Sequence, residues 1–213
     1  MIRVLGRATS SNVQAVMWGA AEMGISVQRE DVGGAFGGNN TPGFLAMNPM
    51  GRVPILIDGD MTMFESQAIL RYLGAVHGGE DIWPTHPATR APVDQWAEWA
   101  KTSVAPVVIY KVFWQMVREN AKTRKWALIE EGIEELKVLM AIADRHLSVR
   151  DWFVHDRLTL ADIAFGTQLY RYYTLDFDRA ETPNLDAYYG RLKDRKAYQE
   201  HVMISYESLR VPE

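Results

Sequence analysis

Two spacings of apolar residues alternate over the first part of the chain. Apolar side chains recur at three- and four-residue intervals over residues 12–24, which predicts a helix ending at Gly24. The segments 2–6 and 26–31 are predicted to be short strands. After them come a flexible glycine-rich loop and a short helix over 41–48, with proline in its first turn.

A hairpin and a further helix complete this half. Asp58–Gly59–Asp60 separates "VPILID" from "MTMF", a turn signal between two strand-like runs that predicts a β-hairpin. A helix is predicted from Glu65 to about Val76. The resulting order is β-α-β, a linking helix, then β-β-α, with a right-handed crossover joining the parallel pair. This order is typical of a thioredoxin-like domain, a fold that does not by itself specify function.

Residues 79–88 are predicted to link two domains, 1–78 and 89–213. The stretch around this linker is rich in glycine and proline, and beyond it the apolar spacing is helical only. The predicted helices cover residues 89–119, 123–147, 159–174, 184–194 and 196–206. Pro106 is expected to kink or end the first of them. The predicted fold class is an α/β thioredoxin-like N-terminal domain followed by an all-α C-terminal domain.

The sequence Thr-Leu-Ala-Asp at 159–162 has the pattern of a helix capping box. In this motif the acidic side chain accepts a hydrogen bond from the backbone of the first residue. Asp162 is therefore expected to be structural, reaching back to Thr159, rather than part of a reaction site.

Composition argues against several classes of function. The chain has 213 residues and no cysteine, which excludes disulfides, thiolate metal sites and a cysteine nucleophile. Its five histidines have no metal-ligand spacing, so no metal is expected. The net charge of -4 gives no support to a nucleic-acid partner.

No apolar run approaches the roughly 18 residues of a membrane span, and the first residues are too polar for a signal peptide. A cytoplasmic location without membrane contact is the default expectation.

Four stretches, in this order, resemble motifs of glutathione transferases. They are "TSSNVQAV" near the first helix, "NPMGRVPIL", "FESQAILRYL", and "LTLADI" in the helical half. The resemblance covers essentially the whole chain, and the second stretch followed by the third is a specific combination. The resemblance implies an enzyme that activates the thiol of its co-substrate glutathione as a thiolate, for attack on a small electrophile in detoxification.

The resemblance assigns Pro54 and Val53 to glutathione binding. In this family the matching proline follows a cis peptide bond, which is uncommon among X–Pro bonds in folded proteins. The N–H and C=O of Val53 are then expected to pair with the cysteinyl backbone of glutathione, as an added strand. The alternative is an ordinary proline at the edge of a sheet.

Further residues are assigned to the two ends of glutathione. Glu65 is expected to accept from the ammonium group, and Ser66 to hold the γ-glutamyl carboxylate at a helix N-terminus. Arg52 is expected near the glycyl carboxylate. Asn39, beside Asn40, belongs to the glutathione-binding loop, although some relatives carry His and Lys at these two positions. The alternative is that Ser66 only caps a helix and that Glu65 is solvated.

The thiol must be ionised at neutral pH. An unperturbed thiol with a pKa of about 8.5 is only about 3% thiolate at pH 7, and a downward shift of ~2 units raises this to roughly three quarters. A hydroxyl donor and a helix N-terminus can supply this shift together. The resemblance places Ser10 in the position of the activating serine of theta-like and zeta-like relatives, with Ser11 second and Asn12 as a possible amide donor. The alternative is a serine that only caps the helix.

Departures from related classes leave other functions open. The zeta motif reads Ser-Ser-Cys with an arginine before the valine, whereas Asn12 and Ala15 stand at these positions here. The first 70 residues contain no tyrosine, so the tyrosine-type classes fit poorly. The alternatives are a maleylacetoacetate-isomerase-like, glutathione-dependent isomerase and a non-catalytic glutathione-binding or assembly module.

Tyr110 and Trp114, on the first long helix of the second half, are the candidates for lining the electrophile pocket. Pockets favour domain interfaces, so the electrophile is expected between the two halves. An aromatic stripe at helical spacing is also typical of a core. Relatives pair the first half of one chain with the helical half of another, so a homodimer is expected, with an apolar surface near Phe64 and Trp96.

Overall fold

The computed structural model describes residues 1–77 and 79–212, and these form two units. The first unit contains Met1–His86 together with Lys196–Ile204. The second contains Pro87–Arg195 and the residues from Ser205 onward. The predicted helical domain, 89–213, included residues 196–204, which the structure packs with the first unit instead.

A mixed four-stranded sheet forms the centre of the first unit. Its strands are β1 (Ile2–Leu5), β2 (Val27–Glu30), β3 (Ile55–Asp58) and β4 (Met61–Phe64). Their order across the sheet is β2-β1-β3-β4. β1 is parallel to β2 and antiparallel to β3, and β3 forms the predicted hairpin with β4. The sheet and the helical second unit confirm the predicted fold class.

The helices lie close to their predicted positions. They are α1 (Ser11–Glu22), α2 (Pro42–Met47), α3 (Ser66–Val76), α4 (Pro87–Trp99), α5 (Trp114–Val117), α6 (Trp126–Leu147), α7 (Leu160–Thr174), α8 (Pro183–Lys193) and α9 (Lys196–His201). None of those in the described part of the chain is long and apolar enough to cross a membrane.

α1 packs against both α3 and α9. Trp18 of α1 and Tyr198 of α9 are fully buried, and their rings meet edge to face with centroids 4.8 Å apart. An aromatic pair of this kind contributes beyond the area it buries. This contact explains why residues 196–204 belong to the first unit, and it fixes the position of α1.

Pro106 does not end the first long helix of the second unit. The chain continues from α4 through two π-helical segments, Ala100–Val104 and Val107–Phe113, into α5. Pro106 lies between these segments and has no N–H to donate. The wider turns on both sides accommodate the missing hydrogen bond, and the helix passes through the proline.

Asp162 is fully buried at the start of α7. Its carboxylate accepts hydrogen bonds from the backbone N–H groups of Thr159 (2.8 Å) and Phe153 (2.9 Å), and from the hydroxyls of Thr159 and Tyr188 (both 3.0 Å). The predicted capping role is confirmed. Burial outweighs these hydrogen bonds and raises the pKa of Asp162 to about 6.

Candidate functional site

The peptide bond between Val53 and Pro54 is cis, as expected from the resemblance. Pro54 is buried directly before β3, whereas Val53 is half-buried. Among residues 1–77 and 79–212, neither the N–H nor the C=O of Val53 has a hydrogen-bond partner. An extended peptide can pair with both groups by adding a strand.

Two asparagines fix the chain that leads to Val53. Nδ2 of the buried Asn48 donates to the carbonyl of Arg52 at 2.7 Å, and its Oδ1 accepts from the Met50 N–H at 3.0 Å. Nδ2 of Asn39 donates to the carbonyl of Gly51 at 2.7 Å. Asn48 was not among the predicted site residues. Its place before Pro-Met-Gly is a signal that could have found it, because asparagine commonly bonds the backbone two residues on in such turns.

Arg52 and Asn39 differ in how far they are available to a ligand. Arg52 is exposed, and within the described residues its guanidinium forms no hydrogen bond or ion pair. Asn39 already uses its amide N–H to hold the loop. Only its remaining polar atoms are available to a ligand.

Gly6 allows three segments to meet close to Val53. A Cβ at this position would lie 2.5 Å from Cγ2 of Val13 and 3.1 Å from Cβ of Val53. Real Cβ atoms do not approach that closely, so a larger residue would push these segments apart. The end of β1, the first turn of α1 and the backbone of Val53 are held together by this close packing.

Glu65 has an unusual backbone at the start of α3. Its φ of 71° lies in the left-handed region, which costs about 1–3 kcal/mol for a residue other than glycine. Its side chain is exposed, and no described residue pairs with its carboxylate. A strained residue with an open carboxylate at a helix N-terminus is typical of a ligand site.

Ser66 connects the N-termini of two helices. It is 2% exposed, and its hydroxyl donates a long, 3.4 Å hydrogen bond to Oδ1 of Asn12 in α1. The first turns of α1 and α3 therefore meet here. Their free N–H groups and aligned peptide dipoles favour a bound anion.

Gln67, the next residue of α3, was not predicted. It is 8% exposed, and its Oε1 has no hydrogen-bond partner among the described residues. A buried acceptor without a partner costs about 1–3 kcal/mol. No feature of the sequence distinguishes this glutamine from a solvated one, so sequence reasoning had no means of finding it.

Ser10 is the N-cap residue of α1, but its hydroxyl does not cap the helix. Its backbone carbonyl accepts the first helical hydrogen bond, from Gln14 N–H at 2.8 Å, and its side chain has no partner in the part of the chain that the structure describes. The same holds for the hydroxyl of Ser11. Both hydroxyls are half-buried and can donate to a ligand at this helix end.

Tyr110 and Trp114 lie on the surface rather than in a core. They are 47% and 39% exposed, and their rings meet edge to face with centroids 4.7 Å apart. The alternative that their spacing marks a buried helix face is therefore wrong.

Comparison with known families covers both units. Residues 2–75 match the family described as "Glutathione S-transferase, N-terminal domain". Residues 104–196 match "Glutathione S-transferase, C-terminal domain". The chain belongs to the glutathione transferase family.

Individual glutathione transferases resemble the chain over most of its length. "Glutathione S-transferase GstB" of Escherichia coli is 34% identical over 206 residues, which cover 96% of this chain and 99% of that protein. "Glutathione S-transferase 4" of Zea mays is 30% identical over 167 residues, covering 76% and 74% of the two chains.

A solved structure extends this likeness to the fold. The theta-class glutathione S-transferase of Xanthomonas axonopodis pv. citri, with glutathione bound, superposes with a TM-score of 0.90 and is 39% identical, covering 96% of this chain and 98% of that one. The predicted enzyme class is confirmed, and likeness to a theta-class transferase agrees with the predicted theta-like or zeta-like relation.

Proposed function

We propose that this transferase binds glutathione along Val53 and at the N-terminus of α3, and ionises the thiol at the N-terminus of α1 for transfer to a small electrophile. The observation that carries the proposal is the unpaired backbone of Val53, directly before Pro54. Gly6 packs closely against both Val53 and Val13 in the first turn of α1. The similar Xanthomonas enzyme with glutathione bound supports the ligand.

The proposed ligand lies with its cysteinyl backbone against Val53, donating to the Val53 C=O and accepting from its N–H. The γ-glutamyl carboxylate then lies at the first turn of α3, where Ser66 can donate to it. The ammonium group faces the carboxylate of Glu65, and the glycyl carboxylate faces Arg52, with Asn39 in the adjoining loop. Each of these groups except Asn39 is exposed or has an unpaired or weakly paired polar atom for this purpose.

The sulfur is proposed to face the start of α1. The Ser10 hydroxyl donates to the thiolate, and the helix N-terminus adds its partial positive charge. Ser11 and Asn12 are the alternative donors. A fall of ~2 units in the thiol pKa corresponds to about 2.7 kcal/mol of preferential stabilisation of the thiolate.

The proposed reaction is a substitution or addition at an electrophilic carbon. The thiol proton goes to solvent when glutathione ionises in the complex. The thiolate sulfur then donates an electron pair to form a carbon–sulfur bond. In a displacement, the bond to the leaving group breaks and that group departs with its electron pair. Tyr110 and Trp114 are proposed to hold the electrophile.

Glutathione-affinity retention followed by a panel of electrophiles tests the function. Retention together with glutathione-dependent consumption of at least one electrophile is the expected result. Retention without turnover across the panel would favour the binding or assembly module. Turnover only of a cis-unsaturated diketo acid, without net consumption of glutathione, would favour the isomerase.

Glu65→Ala and Ser66→Ala are each expected to weaken glutathione binding about tenfold or more. The first removes the partner of the ammonium group and the second a donor to the carboxylate, and hydrogen bonds to charged groups contribute about 1.5–3 kcal/mol. Calorimetric titration with glutathione measures the effect. Asp60→Ala, which removes an exposed carboxylate from the β3–β4 turn, is the control and should change affinity by less than about twofold. Unchanged binding in both site variants would mean that the site is misplaced.

We also propose that the transferase is a homodimer. In the first unit, Met50 and Met61 are 60% and 45% exposed and Phe64 is half-buried, so apolar side chains are available to a partner chain. Trp96 contributes less than expected, because it is half-buried against the rings of Phe153 and His146. Light scattering at micromolar concentration should give twice the chain mass of 24.2 kDa. A particle of the single-chain mass would contradict the proposal.

A further inference from the structure

Arg7 lies in the turn between β1 and α1, three residues before Ser10. Its backbone N–H donates to the carbonyl of Val32 at 3.0 Å, and its carbonyl accepts from the Ser10 N–H at 3.1 Å. These two bonds fix the backbone of Arg7 between the end of β2 and the start of α1. Arg7 was not among the predicted site residues, because an arginine in a loop is usually solvated.

The Arg7 side chain packs against the glycine-rich loop that follows β2, and it is half-buried. A Cβ at Gly34 would lie 3.1 Å from Cδ and 3.2 Å from Nε of Arg7, and a Cβ at Gly33 would lie 3.5 Å from its Nη1. A side chain at Gly34 would therefore crowd the arginine. The two glycines let the loop backbone approach the guanidinium closely and so hold it in place.

The guanidinium also lies beside the residue that is proposed to hold the cysteinyl part of glutathione. The point that a Gly33 Cβ would occupy is 3.4 Å from Cγ1 of Val53 and 3.9 Å from Cγ of Asn39. Arg7, Val53 and Asn39 therefore surround one point, and all three belong to the first unit. This arrangement places a guanidinium, which stays protonated at neutral pH, next to the proposed ligand.

The other charged groups on the elements around this point are paired, neutral or already assigned. Two ion pairs on the neighbouring strands offset their own charges: Arg29 with Asp31, and Arg3 with Glu30. Burial lowers the pKa of His201 on α9, so its imidazole is neutral at pH 7. The two ends of glutathione are assigned above to Arg52 and Glu65.

We propose that Arg7 stabilises the glutathione thiolate through its charge, and so shares the activation of the thiol with Ser10 and the N-terminus of α1. The inference rests on the proposed function and adds a residue to the same site. An opposite charge within about 4–6 Å lowers a pKa by about 1–3, so a lowering of about 1 is expected from a half-buried cation beside the ligand. The contributions of Ser10 and Arg7 are not expected to add, because both act on one sulfur.

Arg7→Gln is expected to raise the thiol pKa of the glutathione complex by about 1. Arg7→Lys keeps the charge and should restore most of the wild-type value. Lys196→Gln removes an exposed positive charge at the start of α9 and is the control, with a thiol pKa within about 0.2 of the wild-type value. The thiolate absorbance of each complex, titrated against pH, measures the effect. Equal pKa values in wild type and Arg7→Gln would overturn the inference.

S-methylglutathione separates an effect on the sulfur from an effect on the rest of the ligand. It keeps both carboxylates but has no ionisable thiol, so its affinity should be unchanged in Arg7→Gln, which also shows that the variant is folded. Glutathione affinity should fall about threefold at pH 7 and change little at pH 5.5, where the thiol is mostly protonated in both complexes. Calorimetry measures both ligands. An equal loss of affinity for the two would mean that Arg7 holds a carboxylate, and would overturn the inference.

The role of Arg7 and the proposed function fail in different ways. A wild-type complex whose thiol titrates near 8.5, the value of a free thiol, would contradict thiolate activation and the role of Arg7 together. A low thiol pKa that rises in Ser10→Ala but stays the same in Arg7→Gln would contradict only the role of Arg7.

Discussion

Asp162→Ala is expected to lower the free energy of unfolding by about 4 kcal/mol, because it leaves several buried donors without an acceptor at once. The backbone N–H groups of Thr159 and Phe153 and the hydroxyl of Tyr188 all donate to this carboxylate inside the second unit. Each buried donor that loses its partner costs about 1–3 kcal/mol, with some of the loss recovered by relaxation. Urea unfolding followed by circular dichroism measures the change.

Asp186→Ala is the matched control. Asp186 also lies in the first turn of a helix, α8, and accepts from the Tyr173 hydroxyl at 2.6 Å, but it is exposed. Its loss should cost about 1 kcal/mol or less, because water can replace the carboxylate. If the two substitutions lower the free energy of unfolding equally, burial does not account for the stabilising effect of Asp162.

The pH dependence of the same carboxyl provides a second readout. Burial raises the pKa of Asp162 from its ordinary 3.8 to about 6, so between these values the folded state binds its proton more tightly than the unfolded chain. The stability that comes from this tighter proton binding is therefore fully present below about pH 4 and is lost as pH rises through 6. The stability difference between wild type and Asp162→Asn should fall by about 2 kcal/mol from pH 4 to pH 7. A constant difference would mean that the hydrogen bonds cancel the effect of burial.

Ser10→Ala is expected to lower turnover at pH 7 about 25-fold while lowering glutathione affinity no more than about fourfold. If the thiol pKa returns to near 8.5, the thiolate fraction falls from roughly three quarters to about 3%. The binding contacts at Val53, Glu65 and Ser66 are untouched by this substitution. The profile of initial rate against pH should therefore shift to higher pH, and calorimetry should show affinity lowered no more than about fourfold.

Ser11→Ala distinguishes the two serines. Its effect on turnover should be much smaller, because Ser10 is the N-cap residue whose hydroxyl makes no cap bond, whereas Ser11 is already the first residue of α1. A large loss of turnover in Ser11→Ala with normal turnover in Ser10→Ala would make Ser11, not Ser10, the residue that activates the thiol. If neither substitution lowers turnover, Asn12 or the helix N-terminus lowers the thiol pKa instead.

The periodic parts of the fold were predictable because local spacing determines them. The β3–β4 hairpin follows from a turn signal between two apolar runs, and the capping role of Asp162 from a local motif. Each depends on residues close together in the chain. The cis bond before Pro54 and its open Val53 backbone came from the family resemblance, since no local rule selects a cis proline over a trans one.

Features that depend on distant contacts were missed. The burial of Tyr198 against Trp18 moves residues 196–204 to the first unit, although their helical pattern matches the rest of the second half. Pro106 remains inside a helix because π-helical turns accommodate it. The open acceptor of Gln67 depends on what surrounds its side chain in the fold, which the sequence of its segment does not specify.

The most direct test of the central claim is the ultraviolet absorbance of the thiolate in the protein–glutathione complex, titrated against pH. S-methylglutathione, which has no ionisable thiol, provides the blank. The wild-type complex should titrate about 2 units below the value of about 8.5 for a free thiol, and Ser10→Ala should titrate closer to that free value. A wild-type complex that titrates near 8.5 would contradict thiolate activation at the N-terminus of α1.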